Sequence, residues 1–370
     1  MTGEASPSRP TAAAEALPVA EKLRRIRADH ERIRADLRQA IVGLEAAIEL
    51  LLGAIIAGGH CLLEGVPGLA KTLLVNSLGQ ALGLATARIQ FTPDLMPSDI
   101  TGADVIVQDH ETGERRFRFI RGPIFTNLLL ADEINRTPPR TQAALMEAME
   151  ERQVTSLGRR YELDRPFLVV ATQNPIEQEA TYPLPAAQLD RFMYRIQLDY
   201  PSVEEEYRIV RLTTAGPQPM LRPILGREEL LWLNRAVRSH PVPEAIEAAA
   251  VALVRRTRPN SPEAPAFVRE WVSWGAGPRA DQFLILGARA RALLLGRAEV
   301  ELDDLMHVAR PVLRHRILLN YQAIADGVTT DGVVERLLGE VPAIRALRAA
   351  RRRPEARRAG FVGRLFGRRT

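Results

Sequence analysis

The segment Gly65-Val66-Pro67-Gly68-Leu69-Ala70-Lys71-Thr72 constrains this chain more than any other. An apolar run, Cys61-Leu62-Leu63, precedes it, and a stretch of helical character over residues 72–82 follows. A strand, a glycine-bearing loop and a helix N-terminus in that order form an anion cradle, because backbone N–H groups converge on phosphate oxygens. Lys71 stands where an ammonium group reaches the β- and γ-phosphates of a nucleotide, and Thr72 where a hydroxyl ligates Mg2+. The lysine is informative, since 48 of the 50 basic residues are arginine and only Lys22 and Lys71 are not. A plain Gly/Pro turn ahead of a helix would need no lysine there. One departure from the usual loop is Ala70, which stands where the last glycine is expected.

The 370 residues allow two or three domains, and the pattern along the chain divides them. Residues 1–20, rich in Ala, Pro, Ser and Glu, read as a disordered leader without the basic and apolar regions of a signal peptide. Residues 21–200 read as a nucleotide-binding core. Five short apolar runs there, 60–64, 87–92, 128–132, 167–172 and 193–198, suit strands buried on both faces of a parallel sheet. Two segments alternate instead and predict hairpins: 104–120, turning over Glu111-Thr112-Gly113-Glu114, and 153–163, turning at Leu157-Gly158. Beyond Pro201 the strand signals stop, and helical stretches at 228–239, 243–258, 279–296 and 302–314 predict an all-α unit over 201–342. Residues 343–370 form an arginine-rich tail.

Two of the apolar runs end in polar residues of chemical interest. Leu128-Leu129-Leu130-Ala131 delivers Asp132 and Glu133 to the C-terminal edge of the sheet, where ligands bind in α/β folds. Asp132 is placed to hold Mg2+, and Glu133 to orient and deprotonate an attacking water. The run that follows ends Ala171-Thr172-Gln173-Asn174-Pro175; Asn174 is either a partner for that water or the γ-phosphate, or simply part of an Asn-Pro turn. The nearest histidine pair, His307 and His315, is eight residues apart without an acid at metal-ligand spacing.

Charge narrows the partners. The formal net charge is +5, but residues 345–370 hold ten arginines against the single acid Glu355, so the rest of the chain is net −4. That is no nucleic-acid footprint, and no nucleic-acid partner is expected. In the tail, Phe361, Val362, Leu365 and Phe366 share one helical face among arginines. Three readings stay open for it: a solvated tail, a binder of an acidic protein or nucleic acid, or a short helix docking on an anionic membrane surface. The lone cysteine, Cys61, and apolar stretches too short to span a bilayer point to a reduced, cytoplasmic setting, with peripheral membrane attachment through the tail as the variant.

Taken jointly, several segments resemble the MoxR family of AAA+ ATPases, in the clade with a hairpin inserted in the second helix. They are Glu64 to Thr72, Leu95 to Gly102, Ala131 to Arg136, Ala171 to Pro175, Gln188 to Phe192, Gly275 to Ala280 and Val312 to Arg316. The resemblance runs from about residue 25 to 342. It implies a P-loop AAA+ core with a five-stranded parallel sheet, followed by a helical lid. It also implies ATP and Mg2+ as ligands, a homo-oligomeric ring of six subunits, and chaperone-like work on a client protein with a von Willebrand factor A domain. Residue by residue, it makes Lys71 and Thr72 the phosphate and Mg2+ ligands, Asp132 and Glu133 the metal-binding acid and base, and Asn174 the first sensor. Arg191 matches the arginine finger that reaches a neighbouring subunit, Arg279 the second sensor, and Val42-Gly43 the adenine contact. Leu44 and Ala186 depart from the pattern, standing where a glutamine and a glutamate are usual. A nucleic-acid motor and a non-hydrolysing nucleotide switch are the other classes; the negative core argues against the first, and intact Glu133 and Asn174 against the second.

Overall fold

The computed structural model describes residues 18–108, 115–175, 181–216 and 221–350. The leader up to residue 17, the turn of the first expected hairpin and the tail beyond residue 350 lie outside the described residues. The chain forms two compact units: one extends to Ser239 and regains Leu293–Ala298, and the other is built from His240–Ala292 and the described residues from Glu299 onward. The division thus falls later than the expected boundary at Pro201. Helix Arg227–Ser239 belongs with the first unit because it packs on helix Glu45–Ala57, and Asn234 donates to the carbonyl of Ile56.

The first unit is organised by a five-stranded, all-parallel sheet. Its strands are β1 (His60–Glu64), β2 (Thr86–Gln90), β5 (Leu128–Asp132), β8 (Leu168–Gln173) and β9 (Phe192–Gln197), in the order β2-β5-β8-β1-β9. Strands β5, β8 and β1 are central and almost wholly buried, as their continuous apolar sequences require. β2 is an edge strand with exposed positions, and it ends at Gln90, short of the expected Thr92. On one face Leu62, Phe91, Leu129, Val169 and Phe192 pack with Leu145, Met146 and Met149 of helix Pro139–Glu151.

Two hairpins leave this core. β3 (Gly102–Gln108) pairs antiparallel with β4 (Arg115–Arg121), and β6 (Gln153–Ser156) with β7 (Arg159–Glu162) around the expected turn at Leu157-Gly158. They are fastened together: Phe119 stacks on Tyr161 with 4.0 Å between ring centroids, and Ser156 donates to Asp104 at 2.6 Å.

The second unit is mainly helical, with Glu244–Arg256, Leu302–Leu313 and Thr330–Glu340 packed on one another. A short antiparallel pair, β10 (Val272–Trp274) with β11 (Leu318–Leu319), sits among them, and the helical periodicity of this stretch does not predict it. Among the described residues no helix is long and apolar enough to cross a membrane.

Candidate active site

The loop begins where β1 leaves the sheet. The N–H of Gly65 donates to the carbonyl of Gln173 at 3.3 Å, tying the loop to the end of β8. A Cβ on Gly65 would lie 2.9 Å from Cβ of Leu198 and 3.0 Å from its carbonyl oxygen, so only glycine lets the loop start this close to the core. Gly68 turns the chain at φ +86°, and Ala70 follows at φ +52° as the residue capping helix Lys71–Ala81. Ala70 therefore holds the left-handed conformation that glycine adopts without strain, which is why a glycine is the usual occupant. Lys71 Nζ donates to the carbonyl of Gly65 at 2.6 Å and so spans the loop that it closes. Thr72, half-buried in the first helical turn, stands beside it.

The two acids stand at the C-terminal edge of the sheet, as expected. Asp132 is the last residue of β5 and is buried; Glu133 follows it in a left-handed conformation at φ +57°. One hydroxyl fixes both. Thr172, fully buried on β8, donates to Asp132 Oδ1 at 2.6 Å and accepts the N–H of Glu133 at 2.8 Å. On the other side Arg88 grips Asp132 Oδ2 through Nη2 at 2.7 Å and Nε at 3.1 Å. Gln90, two residues on along β2, donates to Glu133 Oε2 at 2.8 Å, and Arg136 donates to the same oxygen at 2.8 Å. Arg88 also donates to Gln90 Oε1, so the two acids belong to one hydrogen-bonded chain.

Sheet register shows what lies together. Asp132 bonds Thr172, and Thr172 is the register partner of Leu63 on β1, so the acid is level with the end of β1 two strand spacings away, roughly 10 Å. Asn174, buried, follows Gln173, the partner of Glu64, and so stands next to the loop. Lys71, Thr72, Asp132, Glu133 and Asn174 thus share one edge of the sheet. Val42 and Gly43 line a cavity of about 410 Å³ together with Pro67, Gly68, Ala70 and Leu73. The cavity is walled by Ile209 and Val210, an apolar setting for a flat base, and Leu44 adds a further apolar side chain.

Arg191 lies elsewhere. It precedes β9, whose first residue pairs with His60, the first residue of β1, so it stands at the N-terminal edge, roughly 13 Å of strand from the loop of its own chain. There it forms an ion pair with Glu150. Arg279 stands in the second unit, in the first turn of helix Pro278–Leu294.

Three positions in this arrangement were not legible in the sequence: Thr172, Arg88 and Gln90 reach the acids across 39 to 44 residues of chain. The one available signal is the alternation of Arg88 and Gln90 on a strand beside the acid-bearing one.

Comparison with known proteins agrees with this geometry. Residues 60–194 match the family model of ATPases associated with various cellular activities (AAA), and residues 264–337 match the AAA lid domain. The chain is 43% identical over 311 residues to the chaperone MoxR1 of Mycobacterium tuberculosis, covering 84% of this chain and 81% of that one. It is 32% identical to the protein MoxR of Methylorubrum extorquens, over 78% of this chain and 87% of the relative. A crystal structure of a Cytophaga hutchinsonii protein, 39% identical, superposes with a TM-score of 0.81 over 89% of this chain and 98% of its own. With a parallel sheet, a phosphate-type loop and paired acids at one edge, the chain belongs to the MoxR family of AAA+ ATPases.

Proposed function

We propose that this protein hydrolyses ATP and couples the hydrolysis to chaperone-like remodelling of a client protein. The observation that carries the reading is the convergence of Lys71, Thr72, Asp132, Glu133 and Asn174 on one sheet edge, with both acids fixed through Thr172. Thr72 and Asp132 offer hard oxygen donors, which suit Mg2+ completed by water and phosphate oxygens. Bound there, Mg2+ would neutralise charge between the β- and γ-phosphates. Lys71 takes the β/γ-phosphate charge, Val42 and Gly43 border the base, and the backbone of Gly65 to Ala70 wraps the phosphates. Glu133 orients the attacking water and accepts its proton, and Asn174 hydrogen-bonds the water or the γ-phosphate.

The position of Arg191 supports action in trans. A planar, permanently charged guanidinium is suited to the γ-phosphate, yet Arg191 stands at the sheet edge opposite its own loop, so it would serve a neighbouring subunit. The molecule on this reading works as a ring, with six subunits and a nucleotide at each interface, and Arg279 acts as the second sensor from the lid. The client is a protein with a von Willebrand factor A domain, the setting cytoplasmic, and the tail a candidate contact with anionic membrane. Subunit mixing tests the core of this. Lys71→Ala and Arg191→Ala chains should each be poorly active alone, and mixtures should exceed both parents, because an intact loop meets an intact arginine at some interfaces. Mixtures that never exceed the parents contradict the placement in trans.

A further inference from the structure

Asp132 accepts three hydrogen bonds, two of them from one cation. Oδ1 accepts the Thr172 hydroxyl at 2.6 Å, and Oδ2 accepts two N–H groups of the Arg88 guanidinium at 2.7 and 3.1 Å. The two oxygens differ in what surrounds them. Thr172 is completely buried and neutral, and it can keep its bond to Oδ1 whatever happens on the other side. Arg88 is a cation on the edge strand with its side chain 49% exposed, so it has open solvent to move into. Mg2+, bound directly or through one of its waters, needs a lone pair of this carboxylate and brings two positive charges to it. The guanidinium and the metal therefore compete for one group, and a charge that already neutralises the acid repels a second cation placed within a few ångströms.

We propose that Arg88 is a positioning residue that stands in for the metal on Asp132 and must swing off Oδ2 when Mg2+ binds. The inference rests on the reading of Asp132 as the metal-binding acid. Arg88 holds the carboxylate in place, in register with Thr172, while the metal is absent, and it weakens metal binding in the same act. Its further bond to Gln90 Oε1 carries the consequence onward: when the guanidinium leaves, Gln90 loses one of the two partners that fix its amide beside Glu133.

The test is Mn2+ affinity, read by the loss of the free-ion electron paramagnetic resonance signal on the full-length protein saturated with ADP. An ion pair this exposed is worth up to about 1 kcal/mol, so Arg88→Ala should tighten Mn2+ binding by about fivefold. Arg88→Lys, which keeps the charge without the two-point grip, should fall between wild type and Arg88→Ala. A gain in metal affinity is a change that a purely structural role does not produce. Unchanged or weakened Mn2+ binding in both variants, with their melting temperatures at the wild-type value, overturns the proposal. Asp132→Asn separates the two levels. If it weakens Mn2+ binding while the Arg88 variants match wild type, the metal reading stands and the competition fails. If it leaves Mn2+ binding intact, both fail.

Discussion

Thr172 uses one hydroxyl twice, donating to Asp132 and accepting from the N–H of Glu133. Because the residue is fully buried, removing the hydroxyl leaves a donor and an acceptor unpaired, at a cost of about 1–3 kcal/mol. Thr172→Val keeps the shape and should lose that much unfolding free energy in urea, while Thr172→Ser should retain most of it. Equal stability of Thr172→Val and wild type would contradict the bridge. The bond also holds Glu133 in its left-handed backbone conformation, an arrangement that a non-glycine residue keeps only when its surroundings impose it. At this scale the sequence reveals residues whose neighbours announce them. Lys71 follows a glycine-bearing loop, and Asp132-Glu133 terminate an apolar run. Ala70 is visible as a departure, and the structure supplies the physical content, φ +52°. Thr172 announces nothing, since a threonine in a buried strand is ordinary, and Arg88 is marked only by its alternation with Gln90 in a chain where arginine is abundant.

Among elements, the central strands were the most legible. β1 and β5 match their apolar runs residue for residue, because burial on both faces leaves no alternation to confuse the reading. β2 is less legible because its edge position admits Arg88 and Gln90. None of the residues of helix Val203–Thr214 is buried, and its start is marked by a capping box, in which Ser202 and Glu205 bond each other's backbone N–H. The first hairpin depends on its root. Gly102 turns at φ +93°, and a Cβ on Gly122 would meet the carbonyl oxygen of Ile100 at 2.4 Å and the nitrogen of Gly102 at 2.5 Å. Both obstacles are backbone, so Gly122→Ala has to part the strands. We expect a loss of about 1–3 kcal/mol, with faster amide exchange along β3 and β4 than along β5. Wild-type exchange in the hairpin would contradict the close approach.

Across the whole molecule, a buried histidine and a half-buried carboxyl set opposite limits on stability with pH. His60 accepts the N–H of Val169 on Nδ1 and lies against the carbonyl of Met149, and burial lowers its pKa from 6.5 to about 4. Its contribution is present above pH 6.5 and is lost as pH falls toward 4. Asp281 is held in the other direction: desolvation raises it to about 6 despite Arg258 and Arg255, and its buried Oδ1 has no hydrogen-bond partner. A raised carboxyl favours the neutral form, so its contribution is present below pH 3.8 and is lost as pH rises through 6. Asp281→Asn should therefore raise the melting temperature at pH 7.5 and leave it unchanged at pH 3.5. A melting temperature unchanged at pH 7.5 would contradict the assignment. The architecture of a parallel sheet followed by a mainly helical unit was legible as a whole, whereas the division after Ser239 was not, because helix Arg227–Ser239 shares the amphipathic pattern of the helices beyond it. If ATP is hydrolysed through Glu133, single-turnover hydrolysis by Glu133→Gln reports on it without a contribution from product release. Glu133→Gln should bind nucleotide at wild-type affinity and hydrolyse it about 10²-fold more slowly or worse; hydrolysis at the wild-type rate would rule out Glu133 as the base.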